Sequence, residues 1–453
     1  MIEVRCLHTL EEIEALREQI DALNLASARP DPFSTFEFYE NYLRNEGCFP
    51  RPDGLRPWFL VAFAAGRLVA YLALKQVAHR ILGLRALQID WLTAHTADRP
   101  HLVAGPGHAN EASEAFYAYL LQRKHEWSLL EFQQQDQASP LFPPPATVAF
   151  KGCRVRQWAN MENGTIPVRW DTVHEYFKAF SKKFRSNVSR QIRTLFSAGE
   201  VECLMSSDPA ITPYLFELYR IVESRSWKSN VDAAIGRDPK WVDYYQGLLG
   251  AWQPMHLSIH VLLLDGVPIA GLINGSFQKG LYALHIAYDR GASRLAPGAA
   301  VLLMGMRQAI DGRFAFFDLL WGFGYYKTRW LAEMTETRSV QIYRVGGIFF
   351  WRRMLGDLKR RMLSRGATRE PAHFNPASRD AIELQAVPET ERAPDMTTAE
   401  KKRVSALLAQ VRQGQGEFLS AAALASVIPF ETHRMPWRPE SSRGHASRTD
   451  TLH

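Results

Sequence analysis

The segment RLAPGAAVLLMGM combines residue types that could hold a phosphate. Pro297 is suited to a first helical position, and Gly298 and Ala299 keep that turn free of bulk. The amides of a first turn have no partner within their helix, and the macrodipole adds positive charge there. A pyrophosphate would be held at such a turn, with Arg294 as its counter-ion. The same residues also suit an ordinary helix start beside two solvated arginines, Arg290 and Arg294.

A second segment, DLLWGFGYYKTRW, places Asp318 at the end of a strand. Gly322 and Gly324 permit a tight turn, and Tyr325, Tyr326 and Lys327 follow at once. Group transfer between a nucleophile and a leaving group needs a base and an acid at hand. Tyr326 suits the acid, Asp318 could orient the acceptor or act as base, and Lys327 could hold a phosphate or carboxylate. A structural Asp–Lys pair with a packed tyrosine is the competing reading.

Three further groups carry chemical options. In FSKKFRSNVSRQIRTLFSAG, Phe184, Val188, Ile192 and Leu195 form a stripe at helical spacing. Lys183, Arg185 and Arg190 lie off that stripe without nearby carboxylates, so they suit an acidic acceptor, a nucleotide or a membrane surface as well as plain solvent. In ELYRIVESRSWKSN, Glu223 and Trp227 stand four apart on an expected helix. Trp227 and Lys228 could line an acceptor pocket, or Trp227 could be core. His285 lies mid-strand in LYALHIAYD, where alternation puts it with Ala283 and Ala287 and opposite Tyr282, Leu284 and Tyr288. It could be a general base or a satisfied internal histidine.

The surrounding periodicities predict two similar αβ units. The first has a helix over 9–23, a hairpin turning at Gly66, a strand around ALQIDWL, a helix over 110–124 capped by Asn110, and the strand SLLEF. The second has helices over 213–227 and 240–252, and a hairpin turning at Asp265-Gly266. The strand LYALHIAYD, the helix PGAAVLLMGMRQAI and the strand AFFDLL complete it. The shared order argues for an internal duplication. The expected division is 1–164, 165–345, a basic amphipathic helix over 346–366, and a largely disordered tail over 367–453 with one short helix capped by Thr397 or Thr398. The apolar patch FLSAAALASVIPF in that tail could dock on the body or on a partner.

With 453 residues the chain is long for a single core, which fits two domains. A net charge of +7 favours polyanionic partners without requiring nucleic acid. Cys6, Cys48, Cys153 and Cys203 are scattered, so inert thiols in a reducing compartment are expected, and no metal. The start MIEVRCLHTLEEIEAL is acidic where an export signal is apolar, and no run of about 18 apolar residues occurs. A cytoplasmic protein is expected. Patterns for serine hydrolases, zinc proteases, nucleotide triphosphatases and dinucleotide-binding folds do not occur.

The stretches SKKFRSNVSRQIRTLFSAG, ESRSWKS, DGVPIAGLI, AYDRGASRLAPG and FFDLLWGFGYYKTRW, in this order, resemble GNAT acyltransferases of the CelD-like (cellulose-biosynthesis) acetyltransferase family. That family is related to the Fem peptidoglycan transferases. The resemblance covers about residues 180–345, with a weaker match from PFSTFEFYENYL through LVAYLALKQV. It implies an α/β (α+β) fold of two tandem GNAT-like domains, each a mixed twisted sheet flanked by helices, with the second catalytic. It also implies an acetyl- or acyl-CoA donor lying between two splayed strands, and a primary amine acceptor on a polysaccharide or envelope precursor or a sphingoid-type lipid. By similarity, Ala296, Pro297, Gly298 and Ala299 form the cofactor turn, and Asp318, Gly322, Tyr326 and Lys327 match the late motif. Two other readings remain: a Fem-like transferase using aminoacyl-tRNA, and a non-catalytic scaffold. The basic helix over 349–365 could meet an anionic membrane surface, which would make the protein peripheral on the inner membrane, or pack on the body.

Overall fold

The computed structural model describes residues 2–45, 55–93, 98–136, 138–230, 234–251, 255–321, 325–364, 396–414 and 417–419. The first unit contains β1 (Glu3–Leu7), α1 (Leu10–Glu14), α2 (Arg17–Ala26), α3 (Phe36–Arg44), β2 (Leu55–Ala64), β3 (Arg67–Ile81), β4 (Leu84–Trp91), β5 (Val103–Ala104), α4 (Ala109–Gln122) and β6 (Leu129–Asp136). Strand β7 (Cys153–Pro167) leads to α5 (Val173–Lys178), α6 (Lys182–Ala198), β8 (Val201–Ser206), α7 (Thr212–Ser224), α8 (Pro239–Ala251), β9 (His256–Leu264), β10 (Val267–Phe277) and β11 (Gly280–Tyr288). Then come α9 (Pro297–Asp311), β12 (Phe316–Trp321), α10 (Tyr325–Arg329), β13 (Glu333–Arg344), α11 (Ile348–Ser364), α12 (Thr398–Gln413) and β14 (Glu417–Leu419).

The fold is mixed α/β, with one large sheet flanked by helices. Its order is β1-β2-β3-β4-β6-β13-β7-β12-β11-β10-β9-β8-β14, and β5 pairs with β3 beside this path. Both hairpins turn as expected, with left-handed pairs at Ala65-Gly66 (φ 48° and 76°) and Asp265-Gly266 (φ 51° and 73°). Each unit has one parallel contact, β4 with β6 and β11 with β12. The units exchange strands: β7 runs across residue 164 to pair with β12, and β13 returns between β7 and β6.

The core follows the same exchange. One apolar cluster joins α2 and α3 of the first unit to α7 and α8 of the second, and Asn41 Nδ2 donates to Tyr244 O at 3.0 Å across that seam. A second cluster lies under α5, α6 and α9, and a third under α4. The α6 stripe is buried as its spacing predicts.

Several boundaries differ from the sequence reading. The helix expected over 9–23 breaks at Leu16 into α1 and α2, α1 being closed by a capping box at Thr9. Helix α4 starts one residue early, with His108 at its cap and no capping side chain, so Asn110 is already helical. Helix α7 ends at Ser224, and Trp227 opens a separate short 3-10 turn, Trp227–Asn230. Within the expected tail, α12 has a Thr397 capping box and packs on α7 with Val404, Leu408 and Val411 buried. Strand β14 extends the sheet beside β8. Residues 365–395 and 420–453, where disorder is expected, lie outside the described residues. Burial pushes the Cys6 and Cys203 thiols up to about 12, so neither is a ready nucleophile. Among the described residues no helix is long and apolar enough to cross a membrane.

Candidate active site

The site starts where a ladder stops. Strands β11 and β12 pair only at Gly280↔Phe316, Leu281↔Phe317 and Tyr282↔Asp318. Beyond that register the two strands leave a gap between them. Each is bent by a local device.

On β12, Leu320 is left-handed (φ 56°), and the register with β7 shifts between Asp318 and Trp321. Two side chains hold the bend. Asp318 Oδ1 accepts the Leu320 N–H at 2.8 Å, and Lys327 Nζ donates to Leu320 O at 2.8 Å. Lys327 is only 2% exposed, so its ammonium supports the bent strand and does not face solvent as a phosphate ligand would. The other Asp318 oxygen accepts from Arg99 of the first unit. The expected orienter or base is thus already ion-paired. Gly322 and Gly324 lie outside the described residues.

On β11, Ile273 opposes His285 while Asn274 opposes Ala283, so Leu284 is an extra residue in a β-bulge. The bulge resets the alternation. Tyr282, Leu284 and Ala287 face the α7 and α8 core, whereas Ala283, Ile286 and Tyr288 face α9. The expected grouping of His285 with Ala283, opposite Leu284, is therefore incorrect. His285 meets α8, where its Nε2 bonds the Tyr245 hydroxyl with the rings edge-to-face at 5.1 Å.

A buried polar chain continues from His285. Lys228 Nζ lies 3.2 Å from His285 Nδ1, 3.3 Å from Glu223 Oε1 and 3.4 Å from Tyr219 Oη. Glu223 Oε2 accepts the Ile235 N–H at 2.7 Å. An ammonium only donates, so Nδ1 receives this bond and Nε2 carries the ring proton toward Tyr245. Burial lowers the Lys228 pKa, and the Glu223 carboxylate partly offsets this. Glu223 and Lys228 thus join His285, while Trp227 is 42% exposed and outside this chain. Sequence reasoning missed Tyr245, because a tyrosine on an amphipathic helix carries no signal of its partner.

Pro297 opens α9 at its first position. Asp289 accepts from Arg225 Nε at 2.6 Å and from the Gly291 N–H at 2.8 Å, which ties the turn to the end of α7. Ala296 is left-handed (φ 48°) and caps α9 without a side-chain bond. Ala299 N–H bonds Ala296 O at 3.0 Å, so the first-turn amides that a ligand could meet are those of Gly298 and Ala300. A Cβ on Gly298 would come within 3.2 Å of Tyr288, so glycine there lets the β11 ring lie on the turn. Arg294 is exposed beside it. Helix α6 packs against this turn and α9. On it, Lys183 is exposed, Arg185 donates to Lys178 O at 2.7 Å, and Arg190 donates to Asn187 Oδ1 at 2.9 Å. Tyr326 is 39% exposed on α10.

The first unit supplies a second polar cluster at the base of the gap. Asn163 Nδ2 donates to Asp98 Oδ2 at 3.0 Å, and Arg99 Nε lies 3.5 Å from the same oxygen. Burial raises both Asp98 and Asp31 to about 6 and lowers His101 to about 3. Asp98 Oδ1, Asn163 Oδ1 and His101 Nε2 are buried without a protein partner, as groups satisfied by internal water are. This cluster was not visible in the sequence.

The candidate site is thus a parallel strand pair splayed beside a helix start, on a mixed sheet. Residues 182–328 match the model of the acetyltransferase (GNAT) domain, which supports a transferase. The chain is similar in structure to FemX, with 10% identity, 74% of this chain and 96% of that one covered, and a TM-score of 0.48. It is similar to a tandem GNAT protein from the clavulanic acid biosynthesis pathway (11% identity, 76% and 99% covered, TM-score 0.44). It is also similar to L-PGS from Bacillus licheniformis (12% identity, 72% and 91% covered, TM-score 0.43). Comparison with curated proteins finds no match.

Proposed function

We propose that this chain is an N-acyltransferase that moves an acetyl or longer acyl group from acyl-coenzyme A to a primary amine. The acceptor is an envelope or polysaccharide precursor or a sphingoid-type lipid, and the second unit carries the chemistry. The observation behind this reading is the end of the β11/β12 ladder at Tyr282↔Asp318, beside the uncapped start of α9. Diphosphate oxygens would meet the first-turn amides of Gly298 and Ala300 and the Arg294 guanidinium, with Lys183 on α6 nearby. The thioester arm would then enter the gap, where backbone amides of the bulged strand polarise its carbonyl.

The amine nitrogen attacks that carbonyl, the C–N bond forms, and the C–S bond breaks as the thiolate takes a proton. His285 receives the amine proton at Nδ1 once Lys228 turns its hydrogens to Glu223 and Tyr219, while Nε2–H stays on Tyr245. Glu223 fixes Lys228 in place. Tyr326, exposed on α10, is the donor for the thiolate. Asp318 shapes the gap through Leu320 and Arg99. Coenzyme A supply places this reaction in the cytoplasm.

Coenzyme A binding tests the reading. It should raise the melting temperature and protect residues 297–301 from hydrogen exchange. Absence of both effects would refute the proposal.

A further inference from the structure

Helix α11 is turned inside out. Trp351, Leu355 and Leu358 recur at the spacing of one helical face and are exposed, Leu355 by 63%, while Met354 at its edge takes a bond from Arg154 Nη1 at 3.5 Å. The face toward the protein is the more polar one. It lays Phe350, Arg353 and Asp357 over Arg154, Arg156 and Tyr343, with Arg353 and Asp357 paired at 3.0 Å. A soluble helix would place its apolar stripe on the sheet and its charges outward.

The turn between β3 and β4 repeats this inversion. Its left-handed pair Leu82-Gly83 (φ 51° and 79°) carries Leu82 at 96% exposure, and Leu84 is 63% exposed. This tip is close to α11, because His79 on β3 packs edge-to-face on Phe349 at 5.5 Å. The tip and the start of α11 are therefore neighbours on the surface, and both carry exposed apolar side chains.

The charge around it is one-sided. Helix α11 carries Arg352, Arg353, Lys359, Arg360 and Arg361 against the single acid Asp357. Arg80 and Arg85 flank Leu82 and are exposed. A second copy of the chain would bring Arg80, Arg85 and Arg352 face to face with their own copies, which opposes self-association. An apolar stripe with an aromatic start and basic flanks suits the interface of an anionic bilayer, where the stripe enters the acyl boundary and the cations meet headgroups. We infer that α11 and the β3–β4 tip together form a docking surface for anionic lipid, with the helix lying in the plane of the membrane. This inference is independent of the acyl-transfer reading.

Co-sedimentation of the full chain with vesicles tests it. Vesicles containing phosphatidylglycerol should bind the protein, and phosphatidylcholine vesicles should bind about tenfold less. Added salt should weaken the binding. Leu355→Glu and Leu82→Asp should each lower it about tenfold, and the coenzyme A melting shift should be unchanged in both. Leu82→Asp, at a fully solvated tip, decides the matter if Leu355→Glu fails to fold. No binding to either vesicle, or binding that survives both variants, overturns the proposal. So does a solution dimer that Leu355→Glu dissolves, which would assign the face to a second copy.

Discussion

Arg99 of the first unit holds the carboxylate of Asp318, the residue at which the parallel ladder of the second unit ends. Their side chains are 11% and 3% exposed. Removing the arginine leaves a buried charge without its counter-ion. Arg99→Met should therefore lower stability by about 3–5 kcal/mol. The double variant Arg99→Met/Asp318→Leu should recover most of that loss. Urea unfolding of the two variants checks both values.

The buried cluster around that pair gives opposing pH effects. Asp98 titrates near 6 when folded and near 3.8 otherwise. Its contribution is full below pH 3.8 and is lost as the pH rises to 6, because ionisation is then opposed by burial. The loss is on the order of 2–3 kcal/mol. Asp98→Asn should remove this loss, flattening that part of the stability curve between pH 4 and 6.

His101 has the opposite sign. Its folded value near 3 lies below the ordinary 6.5, so it contributes stability above pH 6.5 that disappears as the pH falls toward 3. The slope is about 1.4 kcal/mol per pH unit through that window. His101→Phe should make the protein less sensitive to acid, as measured by urea midpoints from pH 7 down to 4.

Gly305 tests the packing behind the proposed cofactor turn. A Cβ there would lie 2.7 Å from Leu272 Cδ2 and 2.9 Å from Phe317 Cζ. Alanine adds about 1 kcal/mol of helix propensity, but overpacking costs about 1–3 kcal/mol. Gly305→Ala should be destabilising on balance and should weaken coenzyme A binding by shifting α9 against β10 and β12. Calorimetric titration and thermal melts separate the two effects.

The relay at β11 predicts a graded loss of turnover. His285→Ala should lower kcat about a hundredfold or more if it receives the amine proton. Lys228→Met and Tyr245→Phe should lower it less, and should move the acidic limb of the pH–rate profile, because each touches one ring nitrogen. Unchanged profiles in both variants would remove the relay from the mechanism.

Much of this was legible in the chain because it is local. The turns at Gly66 and Gly266, the α6 stripe and the Pro297 helix start each follow from a few adjacent residues and the conformations open to them. The resemblance to GNAT acyltransferases, carried by short motifs in order, also implied a splayed strand pair. Tertiary structure alone decided the rest. One inserted residue in β11 turned His285 from the expected face to α8, and a one-residue register change leaves no periodic mark. Lys327 reads as a surface cation until Leu320 O is placed beside it. Arg99 meets Asp318 across 219 positions, and Tyr245 meets His285 across 40. Propensity and spacing act over a turn or a strand, whereas a buried charge selects its partner through the desolvation that only the packed chain imposes.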